Sequence, residues 1–294
     1  MRSLLFVPAD SEKKLSKSLS AGADALILDL EDSVAALRKP AARKLAAGFL
    51  DDMRDKAGRP RFYVRINPLD GPFWEADLEA VMSSEPDGII LPKPNSAADV
   101  DRLAVMLDHA ENGKPRTGGS TRIIAIATET PRAILTLSSY LEVSQRLEGL
   151  TWGAEDLSGV IGSAATREAD GRSWTSPYRL ARDMCLMTAV ASGRQPIDTV
   201  FVNFRDKEGL EEEARIAARD GFTGKMAIHP DQVAAINAAF TPGEAEIGWA
   251  QKIEAAFAAE PEAGVLNLDG QMIDRPHQVR AKRILERARF AGLV

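Results

Sequence analysis

A single cysteine in 294 residues excludes an intrachain disulfide. With only three scattered histidines beside it, the chain offers no nitrogen or sulfur ligand cluster, so a metal would have to be held through oxygen. Cys185, in ARDMCLMTAV, falls on the apolar face of a helical pattern and is expected to pack. Nothing approaches the roughly eighteen consecutive apolar residues of a membrane helix, and the apolar run in MRSLLFVPAD is too short for a signal peptide. Basic residues are also in the minority. Lys and Arg number 37 against 43 Asp and Glu, for a net charge of −6, and they are dispersed, which argues against a nucleic-acid surface. These absences describe a cytoplasmic protein with neither a nucleic acid nor a membrane as partner.

What the chain does have is enough apolar residue, 45%, to build a substantial core. Eight short apolar runs recur: SLLFVPA, ALILDLE, RFYVRIN, GIILPK, RIIAIATE, LEGLTWGAE, DTVFVNF and GKMAIHP. Helix-start signals alternate with them near Ser11, Arg38, Trp74, Ala97, Pro131, Pro177, Lys207 and Asp231. Continuous apolar strands separated by helices imply a parallel sheet covered on both faces, and eight such units close a barrel. The fold expected is therefore a (β/α)8 TIM barrel over residues 1–240, with a C-terminal helical extension over 241–294. An open doubly wound sheet is the rival, but the chain has no strand–GxGxxG–helix opening. In the extension, a helix opens at Thr241–Pro242 and runs to about Ala259, and GVLNLDGQMIDRP leads to a basic helix from about Val279. Residues 112–121 and 164–176 read as irregular loops.

Barrel enzymes place their chemistry at the carboxyl ends of the strands. Polar residues ending the runs are Asp29, Glu31 and Asp32, Arg65 and Asn67, Lys93, Glu129, Glu155 and Asp156, Asn203, and His229. Glu129 and Asp156 would lie side by side on neighbouring strand ends, and the repulsion between them would be relieved by a proton, a cationic side chain or a divalent metal. Mg2+ suits such a ligand set best. The plainer alternative is that Glu129 charges the first turn of the helix at Pro131 and Asp156 caps the next loop. Arg65 ends an apolar strand, where it can clamp a carboxylate bidentately or pair with a rim acid such as Glu31. Lys93, between two prolines in LPKPN, reads as a solvated loop lysine rather than a Schiff base. Glu31 could support the metal through its waters, and Asp29 and Asp32 could equally start a helix. His229 is expected to order the mouth of strand 8, His109 and His277 to lie on the surface, and Trp152 to pack in the barrel.

The motifs LFVPAD, LDLEDSV, VRIN, LPK, ATETPRA, WGAEDL, IHP and GQMIDRP fall in an order that resembles the citrate lyase β-subunit-like proteins, relatives of malyl-CoA and citramalyl-CoA lyases in the HpcH/HpaI aldolase superfamily. The resemblance spans nearly the whole chain. It implies a homotrimer or dimer of trimers that uses Mg2+ to cleave or form a carbon–carbon bond between an acyl-CoA thioester and a 2-oxo acid. It also implies Glu129 and Asp156 as metal ligands, Arg65 on a substrate carboxylate, and the backbone around Gly153, Ala154 and Glu155 on the bound acid. Asp274, in GQMIDRP, is implied as a catalytic residue reaching a neighbouring subunit's site. One departure is Ser11, with Lys13 and Lys14 nearby, where the family often has an arginine that holds CoA phosphates. The competing functions are a citrate lyase β subunit acting on a carrier-bound thioester, a Mg2+-dependent aldolase on free hydroxy-oxo acids, and a non-catalytic ligand-binding barrel.

Overall fold

The computed structural model describes residues 1–112 and 119–294, so most of the 112–121 loop lies outside the described residues. Eight parallel strands close on themselves: β1 (Ser3–Pro8), β2 (Ala25–Asp29), β3 (Arg61–Arg65), β4 (Gly88–Leu91), β5 (Arg122–Ile126), β6 (Leu147–Thr151), β7 (Gln195–Asp198) and β8 (Gly224–Ala227), with β8 pairing back to β1. Between and after them run α1 (Glu12–Ser18), α2 (Lys39–Met53), α3 (Trp74–Val81), α4 (Ala97–Glu111), α5 (Pro131–Leu135), α6 (Ala154–Ile161), α7 (Ser176–Ala191), α8 (Lys207–Asp220) and α9 (Val233–Phe240). The caps follow the sequence signals. Ser11, Ser96, Thr130 and Asp206 each accept a first-turn backbone N–H from their side chains, and Pro131 and Pro177 occupy first-turn positions where no N–H is needed. Among the described residues no helix is long and apolar enough to cross a membrane.

The interior of the barrel is filled by every second residue of each strand, because side chains alternate across a strand. Leu4, Ala25, Ile27, Tyr63, Ile90, Ile124, Ile126, Ile197 and Met226 form one buried cluster. The same two-residue step carries Asp29 inward above Ile27 and Arg65 inward above Tyr63, and these two residues stand in register across β2 and β3. The packing at the lower end is tight. A Cβ on Gly88 would sit 2.3 Å from Tyr63 Cε1 and 2.8 Å from the Arg122 carbonyl oxygen, so the tyrosine ring fills the space that a side chain on β4 would need.

Strand 7 corrects the expectation. It is Gln195–Asp198, whereas the run DTVFVNF lies almost wholly after it. Pro196 disguises the strand, yet it costs nothing there, since its carbonyl accepts from Thr223 N–H and no donor is missed. The apolar residues that follow serve the mouth of the barrel. Val200 packs on the interior cluster, and the Phe204 ring stacks on His229 at 4.7 Å.

The chain divides into two compact units, Met1–Asn237 and Ala238–Val294, so the boundary falls inside α9, a few residues before position 240. The second unit is not purely helical, as the sequence led us to expect. Between α10 (Glu244–Ala259) and α11 (Arg275–Phe290) lies an antiparallel hairpin of β9 (Val265–Leu268) and β10 (Gln271–Asp274). Asp269 and Gly270, at φ 53° and 81°, form the two-residue turn, so Asp-Gly was the signal that marked it. Ile247, Ala250, Ile253 and Phe257 of α10 pack with Ile273, Ile284, Leu285 and Ala288. α11 begins at Arg275, four positions before Val279, because Asp274 ends the hairpin and opens the helix directly.

The filled lower layer generates a prediction. Gly88→Ala is expected to destabilise the barrel by about 1–3 kcal/mol through overpacking against Tyr63. Urea titration followed by circular dichroism checks this, and an unchanged midpoint would show that the ring moves aside freely.

Candidate active site

At the carboxyl ends of the strands a cavity of about 440 Å3 opens. Arg65, Glu129, Gly153, Ala154, Glu155 and Asp156 all line it, together with Asp29 and Asp32 and an apolar wall that includes Phe6, Val200 and Met226. Six of the eleven strand-end candidates, Asp29, Asp32, Arg65, Glu129, Glu155 and Asp156, therefore line the cavity, Glu31 and Lys93 join them only through ion pairs, and Asn67, Asn203 and His229 do not line it. Asn203 is exposed after β7 and does not line the cavity, a consequence of the misplaced strand. Asn67 is buried and donates to the Leu30 carbonyl and to Asp77 Oδ2, which holds the segment after β3 in place.

Arg65 resolves into both of its expected pairings. Its Nε and one terminal nitrogen donate to the two oxygens of Asp29, each at 2.7 Å, while the other terminal nitrogen lies 3.0 Å from Glu31 Oε2. The guanidinium also covers the Phe6 ring at 4.7 Å. Burial alone would raise the Asp29 carboxyl, but the hydrogen bonds and charge of Arg65 outweigh it and hold Asp29 below the usual carboxylate range. Asp29 also accepts from the backbone N–H of Glu31 and Ser33, so it organises the turn that carries Glu31 and Asp32.

Lys93 departs most from expectation. It is no solvated loop residue. Its ammonium lies 2.6 Å from Glu31, 3.3 Å from Asp32 and 3.1 Å from Asp156, and its own backbone N–H donates to Glu129 Oε2 at 2.5 Å. The residue adopts φ 51°, a conformation that costs a non-glycine residue about 1 kcal/mol or more. That conformation aims the amide at Glu129 while the side chain reaches the other acids. Burial disfavours the ammonium, yet Glu31, Asp156 and Asp32 more than offset it and raise its pKa, so Lys93 stays charged and is unsuited to Schiff-base chemistry.

The buried carboxyls carry the opposite stress. Glu129 is 2% exposed, and burial followed by the charges of Asp156 and Glu31 raises its pKa well above the usual value, opposed only in part by Lys93. Glu31 is pushed up to about 7, first by burial, with Arg65 and Lys93 pulling the other way. Asp156 sits in the first turn of α6, a helix that sequence reading missed, and is about one-third exposed. Gly153 is required at its position, since a Cβ there would lie 2.8 Å from Glu129 Cγ. This contact fixes how closely the start of α6 approaches Glu129.

Among the described residues no three His, Cys, Asp or Glu side chains converge as a ready ligand cage. A hard cation that keeps most of its waters needs fewer, and a buried acid raised by a like-charged neighbour is the donor set such an ion would relieve. Glu129 and Asp156 fit Mg2+ on these grounds. Trp152 is buried as expected, His229 caps the turn after β8 through its Nδ1, and His109 is exposed. Asp274 lies in the second unit, where its Oδ1 is 2.5 Å from Nδ1 of the half-buried His277.

A (β/α)8 barrel with a charged well at the strand ends, floored by apolar side chains, is the architecture of a barrel enzyme. Residues 2–230 match the family model HpcH/HpaI aldolase/citrate lyase, and the chain belongs to that family. It is 34% identical to the citrate lyase subunit beta of Leuconostoc mesenteroides subsp. cremoris, over all of this chain and 95% of the relative. It is 32% identical to the mitochondrial citramalyl-CoA lyase of Rattus norvegicus, over 97% of this chain and 85% of that one. Among solved structures, protein CitE from Mycobacterium tuberculosis in complex with magnesium, acetoacetate and coenzyme A matches with a TM-score of 0.76 and 34% identity, covering 98% of this chain and 99% of that one. The family is the one the motif order implies, and it places the chain among lyases.

The raised Glu31 gives a signed prediction. Because its folded-state value lies above the ordinary one, its contribution to stability is fully present below about pH 4.5 and is lost as pH rises through about 7, an effect of about 3 kcal/mol between the limits. Glu31→Gln lacks that loss. Its melting temperature relative to wild type is expected to move in the variant's favour between about pH 5 and about pH 8; a pH-independent difference would contradict the assignment.

Proposed function

We propose that this chain is a Mg2+-dependent carbon–carbon lyase that splits, or in reverse joins, a β-hydroxyacyl-CoA thioester into a 2-oxo acid and an acyl-CoA. The observation that carries the reading is the convergence of Glu129, Asp156 and the pinned Arg65 on one cavity. It is supported by relatives named for citrate and citramalyl-CoA cleavage and by the magnesium, acetoacetate and coenzyme A held by the CitE structure.

Mg2+ would be held by Glu129 and Asp156 and would supply Lewis-acid polarisation of the substrate's oxygens. The rest falls to the chain's own groups. Arg65, locked on two of its nitrogens by Asp29, presents a fixed cation to a substrate carboxylate and lowers the orientational cost of reaction. Backbone N–H groups at Ala154 and Glu155, at the start of α6, would meet the same acid, beside Gly153, whose own N–H is given to Thr128 Oγ1 at 3.4 Å. In cleavage the hydroxyl proton passes to solvent, the oxygen's electron pair forms the carbonyl of the 2-oxo acid, the carbon–carbon pair passes to the thioester α-carbon, and a proton is delivered to that carbon. Asp274 of a neighbouring copy is the donor in this reading, and removes the proton in condensation; a homotrimer or dimer of trimers would bring it there.

A carrier-bound thioester is the second reading. The chain is 34% identical to a citrate lyase β subunit, and Ser11 spends its side chain capping α1 where a phosphate-holding arginine would otherwise stand.

Turnover of malyl-CoA, citramalyl-CoA and their free acids, with Mg2+ and with EDTA, tests the proposal. Metal-dependent release of a 2-oxo acid from a CoA ester is expected; equal rates on the free acids would move the assignment to an aldolase. Asp156→Asn is expected to lower kcat/KM at least about a hundredfold with the fold intact. Asp274→Ala should lower kcat with little change in KM or in the oligomer seen by light scattering. A fully active monomer would remove Asp274 from the mechanism.

A further inference from the structure

Six side chains form a closed ring of which only Trp152 lines the cavity; the other five lie outside it and take no part in the lyase chemistry. Ile197 and Met226 point into the barrel, so their neighbours Asp198 and Lys225 face outward, toward the helices. Lys225 is completely buried. Its ammonium donates to Asp198 Oδ2 at 2.6 Å and to Glu213 Oε1 at 2.9 Å. Asp198 Oδ1 accepts the indole N–H of Trp152 at 2.8 Å. On the other side, Glu213 Oε2 lies 2.7 Å from Arg167, whose guanidinium covers the Trp174 ring at 3.3 Å. Trp174 closes the circuit, edge-on to Trp152 with centroids 4.8 Å apart. Arg167 and Trp174 are themselves bridged across the segment between α6 and α7, so one ring ties that segment, α8 and the ends of β6, β7 and β8 together.

The ring balances two acids against two bases. Its stability value is modest, because well-packed hydrocarbon of the same volume usually serves as well as a buried ion pair. What charge and hydrogen bonds add is direction: the indole of Trp152 has one orientation in which its N–H meets Asp198. Trp152 immediately precedes Gly153, which approaches Glu129 too closely for a Cβ, and the turn ends in Asp156. A rotation of the indole would therefore be carried into the spacing of Asp156 from Glu129.

We propose that Lys225 and Arg167 are positioning residues, which through the Trp152–Asp198–Lys225–Glu213–Arg167–Trp174 ring hold residues 153–156 against Glu129. The proposal rests on reading that turn as part of the active site, but its test does not depend on turnover.

Arg167 is the member to remove, since its side chain is 20% exposed and its loss leaves Lys225 paired. In Arg167→Ala, amide hydrogen exchange followed by mass spectrometry is expected to quicken about tenfold over residues 152–161, while α2 is unchanged. Arg167→Lys, which keeps the pair to Glu213, should restore part of the protection. Where wild-type turnover is established, kcat is expected to fall about tenfold in Arg167→Ala, with the melting temperature shifting little. Unchanged exchange over 152–161 overturns the proposal, whatever happens in residues 163–175 or to the melting temperature. Should Arg167→Ala fail to fold, the same comparison on Arg167→Lys decides it. Absence of lyase activity in the wild type would sink the functional reading alone.

Discussion

More carboxylates share the mouth of this barrel than the two cations beside them, Arg65 and Lys93, can neutralise, and the local architecture is a response to that crowding. Asp29, Glu31, Glu129 and Asp156 all come to one end, and three of the four are almost wholly buried. Each is met differently. Asp29 receives a full bidentate arginine and stays ionised; Glu31 shares what remains of Arg65 with Lys93 and titrates near neutrality; Glu129 accepts the Lys93 amide, and burial and its acidic neighbours raise it well above the usual carboxylate range. The gradient runs from a paired carboxylate at the end of β2 to a raised one just after β5. A divalent cation at Glu129 and Asp156 would therefore relieve the buried Glu129 and compete with Lys93 for Asp156.

That gradient depends on the arithmetic of the strands. Because Arg65 stands in register with Asp29, their pairing is set by the register of β2 and β3 and depends on no loop. Lys93, by contrast, reaches its partners from a loop and only in a left-handed conformation. The site thus combines a rigid half built on strands with a half held by a single strained residue.

Much of this was legible in the chain. Seven of the eight strands followed from apolar runs, since a parallel barrel strand is covered on both faces and has little room for polar residues. The eighth, β7, is short and contains Pro196, while the apolar run after it serves the mouth, so burial there imitated strand character. The hairpin at Asp269–Gly270 escaped because its strands are half exposed and weakly apolar. At the site, the strand-end rule found Glu129, Asp156 and Arg65. It could not reveal the role of Lys93, which depends on a backbone angle and on the convergence of three acids from separate loops. The partners of Trp152 were equally hidden, because Asp198, Glu213 and Lys225 are far apart in sequence and meet only in the layer outside the barrel wall.

Below the site the barrel is solid. Tyr63 fills the place left by Gly88 and joins Leu4, Ile27, Ile90 and Ile124 in a continuous plug, so the cavity is a well closed below by side chains. A reaction that consumes or makes two molecules in such a well imposes a sequence on their traffic. The molecule seated deepest must arrive first and depart last, and its larger companion acts as the stopper.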